Sequence, residues 1–249
     1  MILCSAAAHA AEPPSLDRYP AELLRPYVPA VSMEMDRRVA PTRGTDRRID
    51  ATGLLRCGGA VGTAQLTLRN DLITTAAHVL IGEGGEPRKG CVFQSLAGGA
   101  AVAIDTASIK TGSRTPMSEP ATRDWAVARL KRPVAGVTPY RLAAAGMKPS
   151  GVSMIAGGNK RADAMGAERC NARGMLAASP DGVREFAIDC SAAAGSSGAA
   201  LTSGRNIVGI YVGYRSSDPS RAQAFSVTHY NFAITLEGPF RRALLAAAR

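Results

Sequence analysis

Little in this chain is aromatic, and less is histidine. Among 249 residues there is one Trp, aromatics are 5%, and the three His are His9, His78 and His229. Chemistry that needs imidazole therefore has few places to sit. No apolar run approaches the ~20 residues that a membrane-spanning helix needs. There is no Cys-x-x-Cys and no His beside any Cys, so a zinc site is not supported. Lysine is scarce, with five residues against 25 Arg, and acidic residues number 20, giving a net charge of +10. The arginines are scattered rather than gathered into a stripe interleaved with aromatics, so a nucleic-acid partner is not expected. Hydrophobic residues at 46% and charged residues at 20% exclude a mainly disordered chain.

What is abundant is turn material, with 26 Gly and 15 Pro. From about residue 50, short apolar runs alternate with Gly, Asn-Asp or Pro. Gln65–Leu68, the Asn70-Asp71 turn and Leu72–Thr75 read as a hairpin. Further strands are expected at 91–94, 101–104, 125–130, 152–156, 185–189, 199–202, 206–212 and 223–227. Strands at this spacing with little helix between them indicate an all-β sandwich or barrel. Lys131–Pro139 is the best linker. Pro239 opens a short C-terminal helix over 239–249, with Phe240 and Leu244 on one face. That face suits docking on the core, and a membrane-surface helix is the alternative.

The start of the sequence, MILCSAAAHA, resembles the tail of a secretory signal ending in the small-x-small pattern Ala8-His9-Ala10. Residues 1–10 are accordingly expected to be a signal remnant and 11–45 an N-terminal arm or pro-like segment. A secreted or periplasmic location follows. Beyond Cys4, four cysteines remain: Cys57, Cys91, Cys170 and Cys190. An even count in an exported chain favours two disulfides. Three pairings are possible, and the pairing of sequence neighbours, Cys57–Cys91 and Cys170–Cys190, is favoured. In the chain-entropy picture each such loop contributes about 3–4 kcal/mol.

Three segments carry candidate chemistry: Thr75–Val79 (TAAHV), Asp124–Leu130 (DWAVARL) and Gly195–Leu201 (GSSGAAL). Each alone is unremarkable, since His among apolar residues is usually packing, Asp before a strand a cap, and Ser between glycines a turn. In the order His, Asp, Ser they resemble the chymotrypsin/trypsin-like serine proteases. The T-A-A-H, D-W-A and G-S-S-G elements carry the resemblance. The G-S-S-G form and Asp46-Arg47-Arg48 are similar to the bacterial glutamyl-endopeptidase-like branch, over about residues 46–245.

The resemblance implies two antiparallel six-stranded β-barrels with the active site between them, 46–132 and 133–238, followed by the C-terminal helix. It implies a secreted endopeptidase with His78, Asp124 and Ser197 as triad and the Gly195 and Ser197 amides as oxyanion hole. A Ser hydroxyl is a poor nucleophile until a base takes its proton, and an imidazole suits that task. The carboxylate of Asp124 would orient the ring. Ser196 stands where trypsin-like zymogens carry an Asp that pairs with a newly cut terminal amine, and it has no charge to make that pair. By the same resemblance Ser191, Tyr211, Val212, Gly213 and His229 would bind substrate. Ser191 does not provide the acid that selects basic side chains, and Tyr211 replaces the His of glutamyl endopeptidases. The expected partner is a peptide or protein substrate, and the chain is expected to be a monomer without metal or organic cofactor. Two rivals are a catalytically silent envelope binding protein of the same fold and an α/β-hydrolase using Ser197, Asp218 and His229. The second fails on G-x-S-x-G, because Ala199 stands at the final Gly.

Overall fold

The computed structural model describes residues 36–42, 48–158, 164–219, 221 and 223–249. The expected signal remnant, residues 11–35 of the arm, and Asp46-Arg47 lie outside the described residues.

Six strands close into the first barrel in the order β1-β2-β3-β6-β5-β4. They are β1 (Thr52–Cys57), β2 (Ala60–Leu66), β3 (Leu72–Thr75), β4 (Val92–Ser95), β5 (Val102–Thr111) and β6 (Ala126–Leu130). A four-residue helix, α1 (Arg48–Ala51), leads into β1, and another, α2 (Ala77–Leu80), follows β3. The interior is filled by Leu55, Leu66, Leu72, Ile73, Phe93, Ile104 and Val127, all buried.

The second barrel is built from β8 (Gly151–Gly157), β9 (Met165–Ala178), β10 (Arg184–Ile188), β11 (Ala200–Ser203), β12 (Asn206–Ser216) and β13 (His229–Thr235). The order β11-β8-β9-β10-β13-β12 closes through β11–β12 pairing, and the short β7 (Arg141–Leu142) adds parallel to the start of β12. Its interior contains Met154, Phe186, Ile188, Leu201 and Tyr211. A third cluster, Ile49, Leu54, Ile155 and Met165, seals the seam where β1 meets β8.

The chain is thus all-β with two closed six-stranded barrels, as the resemblance implied. The expected strand at 223–227 is not formed: the segment is a loop whose Ser226 makes one bridge to His229, and the strand lies just after it as β13. Every residue of β13 is buried, so HYNFAIT shows no polar-apolar alternation to announce it. β1 and β9 were also unforeseen, and β9 is irregular, with bulges against β10.

Disulfides join Cys57 to Cys91 and Cys170 to Cys190. Each ties strands already paired, β1 to β4 and β9 to the end of β10. The C-terminal helix is α3 (Gly238–Ala247). Its Phe240 and Leu244 are fully buried, and the Phe240 ring stacks on Trp125 at 5.0 Å between centroids. The helix thus docks on Trp125, the residue after Asp124. No helix among the described residues is long and apolar enough to cross a membrane.

Candidate active site

The first barrel supplies two of the three candidate side chains. β3 ends at Thr75 and the chain turns into α2, which carries His78, its side chain 12% exposed, while Val79 and Leu80 fill the core. Asp124 follows the 3-10 turn Ala121–Arg123 and precedes β6, a neighbour of β3 in the barrel. Two residues separated by 46 positions therefore meet. Asp124 Oδ1 accepts the His78 backbone N–H at 2.9 Å, and Oδ2 lies 2.6 Å from Nδ1.

Asp124 is fully buried. A buried carboxylate is costly unless it is bonded, and these contacts offset that cost. A carboxylate only accepts, so Nδ1 carries the hydrogen and Nε2 of the neutral ring keeps its lone pair. His78 Nε2 is buried and has no hydrogen-bond partner.

The second barrel supplies the loop between β10 and β11. Gly195 and Ser197 lie on it, with Gly195 at φ 100° and Gly198 at φ 87°. Side chains beyond glycine rarely adopt such φ, and a Cβ at Gly198 would also approach Thr75 Oγ1 to 2.2 Å. The loop is pinned to the first barrel by two contacts, both through Thr63. Thr63 N donates to Ser197 O at 2.8 Å. Thr63 Oγ1 donates to Gly195 O at 2.8 Å and accepts from Gly157 N at 2.8 Å. Behind it, Gly198 N donates to the Tyr211 carbonyl and Tyr211 N to the Ala199 carbonyl, both at 2.8 Å.

The His78 turn and the Ser197 loop pack on the same residue. A Cβ on Gly62 would come within 2.7 Å of the Val79 methyls and 3.0 Å of Ser197 O. No hydrogen bond joins His78 Nε2 to the Ser197 hydroxyl. Contacts of this kind are commonly long without substrate and tighten in the complex. The Gly195 and Ser197 N–H groups donate to no acceptor among the described residues.

Of the residues expected to bind substrate, all five are buried. Ser191 Oγ accepts from Arg37 N at 3.1 Å. The Tyr211 hydroxyl donates to Asn231 Oδ1 at 3.1 Å, and Asn231 Nδ2 donates to the Cys190 carbonyl at 2.7 Å. Burial raises the Tyr211 pKa above its ordinary value. His229 Nδ1 is hydrogen-bonded to Ser216 Oγ at 2.9 Å, and burial lowers its pKa, favouring the neutral ring. Val212 and Gly213 lie on β12, where the strand has β13 on one side only beyond Tyr211 among the described residues.

Thr63 and Asn231 were missed by sequence reasoning. Thr63 sits in a strand whose last five residues are all buried, and Asn231 in one buried throughout, so neither carried a local signal.

Residues 61–210 match the trypsin-like peptidase domain family. No curated protein matches the sequence. Among solved structures, the chain is similar to a Glu endopeptidase in complex with MPD. The TM-score is 0.66 at 13% identity, covering 88% of this chain and 99% of that one. It is also similar to AL20, a thermostable serine protease from an extremophilic microorganism, with TM-score 0.60, 16% identity and coverage of 81% and 98%. The protease Anisep of Arthrobacter nicotinovorans gives 0.57 and 13%, covering 82% and 97%. At these identities the likeness concerns the fold.

Proposed function

Since the chain belongs to the trypsin-like peptidase domain family, we propose that it is an exported serine endopeptidase with Ser197 as nucleophile, His78 as base and Asp124 as orienting carboxylate. The observation that carries this reading is the pairing of Nδ1 with buried Asp124 while Nε2 is buried and unpartnered, with the adjacent Val79 packing on the same Gly62 that meets Ser197 O.

Nε2 takes the Ser197 proton as Oγ attacks the scissile carbonyl carbon. The resulting oxyanion accepts hydrogen bonds from the Gly195 and Ser197 amides, whose lack of other acceptors supports that role. The imidazolium, stabilised by Asp124, gives its proton to the leaving amine, and an acyl-enzyme remains. Water then repeats the sequence, with Nε2 taking its proton, and releases the acid.

The open side of β12 at Val212–Gly213 would take an extended substrate by strand addition. Ser191, Tyr211 and His229 would shape the pocket beneath it. The two disulfides suit an oxidising compartment, which supports export.

The test is covalent labelling of the folded chain with a fluorophosphonate. Labelling is expected at Ser197, lost in Ser197→Ala and reduced by orders of magnitude in His78→Ala. A folded chain that stays unlabelled would leave a silent binding protein and end the hydrolase reading.

A further inference from the structure

Upstream of the first barrel, the short segment around Val39 lies against the second barrel. Val39 and Ala167 exchange both backbone hydrogen bonds, at 2.9 and 2.7 Å. Next to it, the Arg38 side chain is 0% exposed although it is charged. A buried guanidinium is tolerated only when its donors are satisfied. Here all five N–H groups have acceptors. Nε donates to Asp36 Oδ1 at 2.9 Å and Nη2 to Asp36 Oδ2 at 2.7 Å. Nη1 donates to the Gly157 carbonyl at 2.9 Å and to Ser196 Oγ at 3.1 Å, and Nη2 donates also to the Gly158 carbonyl at 3.0 Å.

These acceptors surround the loop that carries Ser197. The Ser196 hydroxyl also accepts from Ala193 N at 3.0 Å and donates to Gly157 O at 2.8 Å. A Cβ on Gly158 would come within 2.2 Å of the Ala194 carbonyl oxygen, and one on Gly157 within 2.8 Å of Gly195 O. The Ala194–Gly195 peptide therefore lies flush on the two residues whose carbonyls Arg38 holds. That peptide carries the Gly195 N–H. It belongs to no strand, and Gly195 offers little steric resistance to rotation. Turning the peptide plane over would aim the N–H away from the site.

We propose that Arg38 is a positioning residue for the oxyanion hole: its guanidinium, reaching in from the arm, locks the Gly157 and Gly158 carbonyls and the Ser196 hydroxyl and so fixes the direction of the Gly195 and Ser197 amides. The proposal rests on the serine-hydrolase reading. It gives uncharged Ser196 a role as the acceptor of a cation supplied by a side chain, with Asp36 as that cation's own counter-charge.

The test compares Arg38→Met, Arg38→Lys and Ser196→Ala with the wild-type full chain. Three quantities are read: kcat and KM on a peptide anilide, affinity for a peptide aldehyde that forms a tetrahedral adduct, and hydrogen exchange across residues 193–198. Arg38→Met is expected to lower kcat by about 100-fold, the scale of one lost oxyanion donor, with KM nearly unchanged. Aldehyde affinity should fall by a similar factor while affinity for the peptide product does not move. Exchange across the loop should accelerate. Arg38→Lys should recover little, because an ammonium cannot span the fork of acceptors. Ser196→Ala should move the same quantities less, and serves alone if Arg38→Met does not fold. Wild-type aldehyde affinity and wild-type exchange in the variants would overturn the proposal. If the wild type itself neither hydrolyses nor labels, the hydrolase reading fails, and loop exchange still decides whether Arg38 holds the loop.

Discussion

The two barrels have the same number of strands but hold their candidate residues by different means. In the first, His78 and Asp124 sit at the ends of paired strands, over an apolar interior whose buried polar members are mostly Thr hydroxyls and one Gln. In the second, the Ser197 loop belongs to no strand and, besides its bonds to Gly157 and Tyr211 of its own barrel, is held from outside by Thr63 of the other barrel and by Arg38. Its barrel also buries charge. Arg215 pairs with Glu185 through two contacts of 2.9 Å and lies over the Phe232 ring. Burial pushes the Glu185 pKa up, and Arg215 opposes that shift. A site can therefore combine a pair that its own core preforms with a loop that depends on distant clamps.

The sharpest probe of the preformed half is Asp124→Asn. An amide there can still accept the His78 backbone N–H but presents N–H to Nδ1, reversing the tautomer. Turnover is expected to fall about 10⁴-fold, near 5.5 kcal/mol, with thermal stability changed far less. A loss of under tenfold would break the comparison. In the second barrel, Arg215→Leu should cost about 3–5 kcal/mol by stranding a buried carboxylate, while Arg215→Leu with Glu185→Leu should return close to wild type. Urea denaturation of both variants reads this directly.

The disulfides separate the two halves more finely. Their loops span 34 and 20 residues, so replacing either pair with Ser should cost a similar ~3–4 kcal/mol. Only loss of Cys170–Cys190, which anchors the chain entering the Ser197 loop, should also lower kcat. Equal kcat in both variants would contradict the idea that this loop depends on remote supports.

The smallest effect concerns Glu237 at the start of α3. Burial raises its pKa, but two bonds from Arg184 and one each from Gly146 N and the Thr235 hydroxyl outweigh that and hold it below the ordinary 4.5. A lowered carboxylate pKa stabilises the fold above the unfolded value, and that contribution is lost as pH falls through the folded value. The Tm difference between wild type and Glu237→Gln should accordingly shrink as the pH drops below about 4.5. A difference independent of pH would remove the carboxylate from the account.

Legibility in the sequence followed locality. The turn at Asn70-Asp71, the strands around it, and the Phe240–Leu244 face of α3 lie within short windows where side-chain periodicity reports burial. Strands buried on both faces, such as β13, lose that periodicity, which is why 223–227 was mistaken for the strand that follows it. Ser191 and Tyr211 were singled out by position, but that their hydroxyls meet Arg37 N and Asn231 depends on chain segments far away.

By itself the sequence determined the all-β class and the order His78, Asp124, Ser197, because each is written in residues close together or in their order along the chain. It left three cysteine pairings open, and the tertiary structure selected the favoured one by bringing Cys57 to Cys91 and Cys170 to Cys190. Only the tertiary structure decided that Thr63 bridges the barrels and that Arg38 and Arg215 are buried while other arginines stay exposed. The reason is physical: whether a guanidinium is solvated or locked depends on which carbonyls surround it, and Arg38 finds Gly157 and Gly158 more than a hundred residues away.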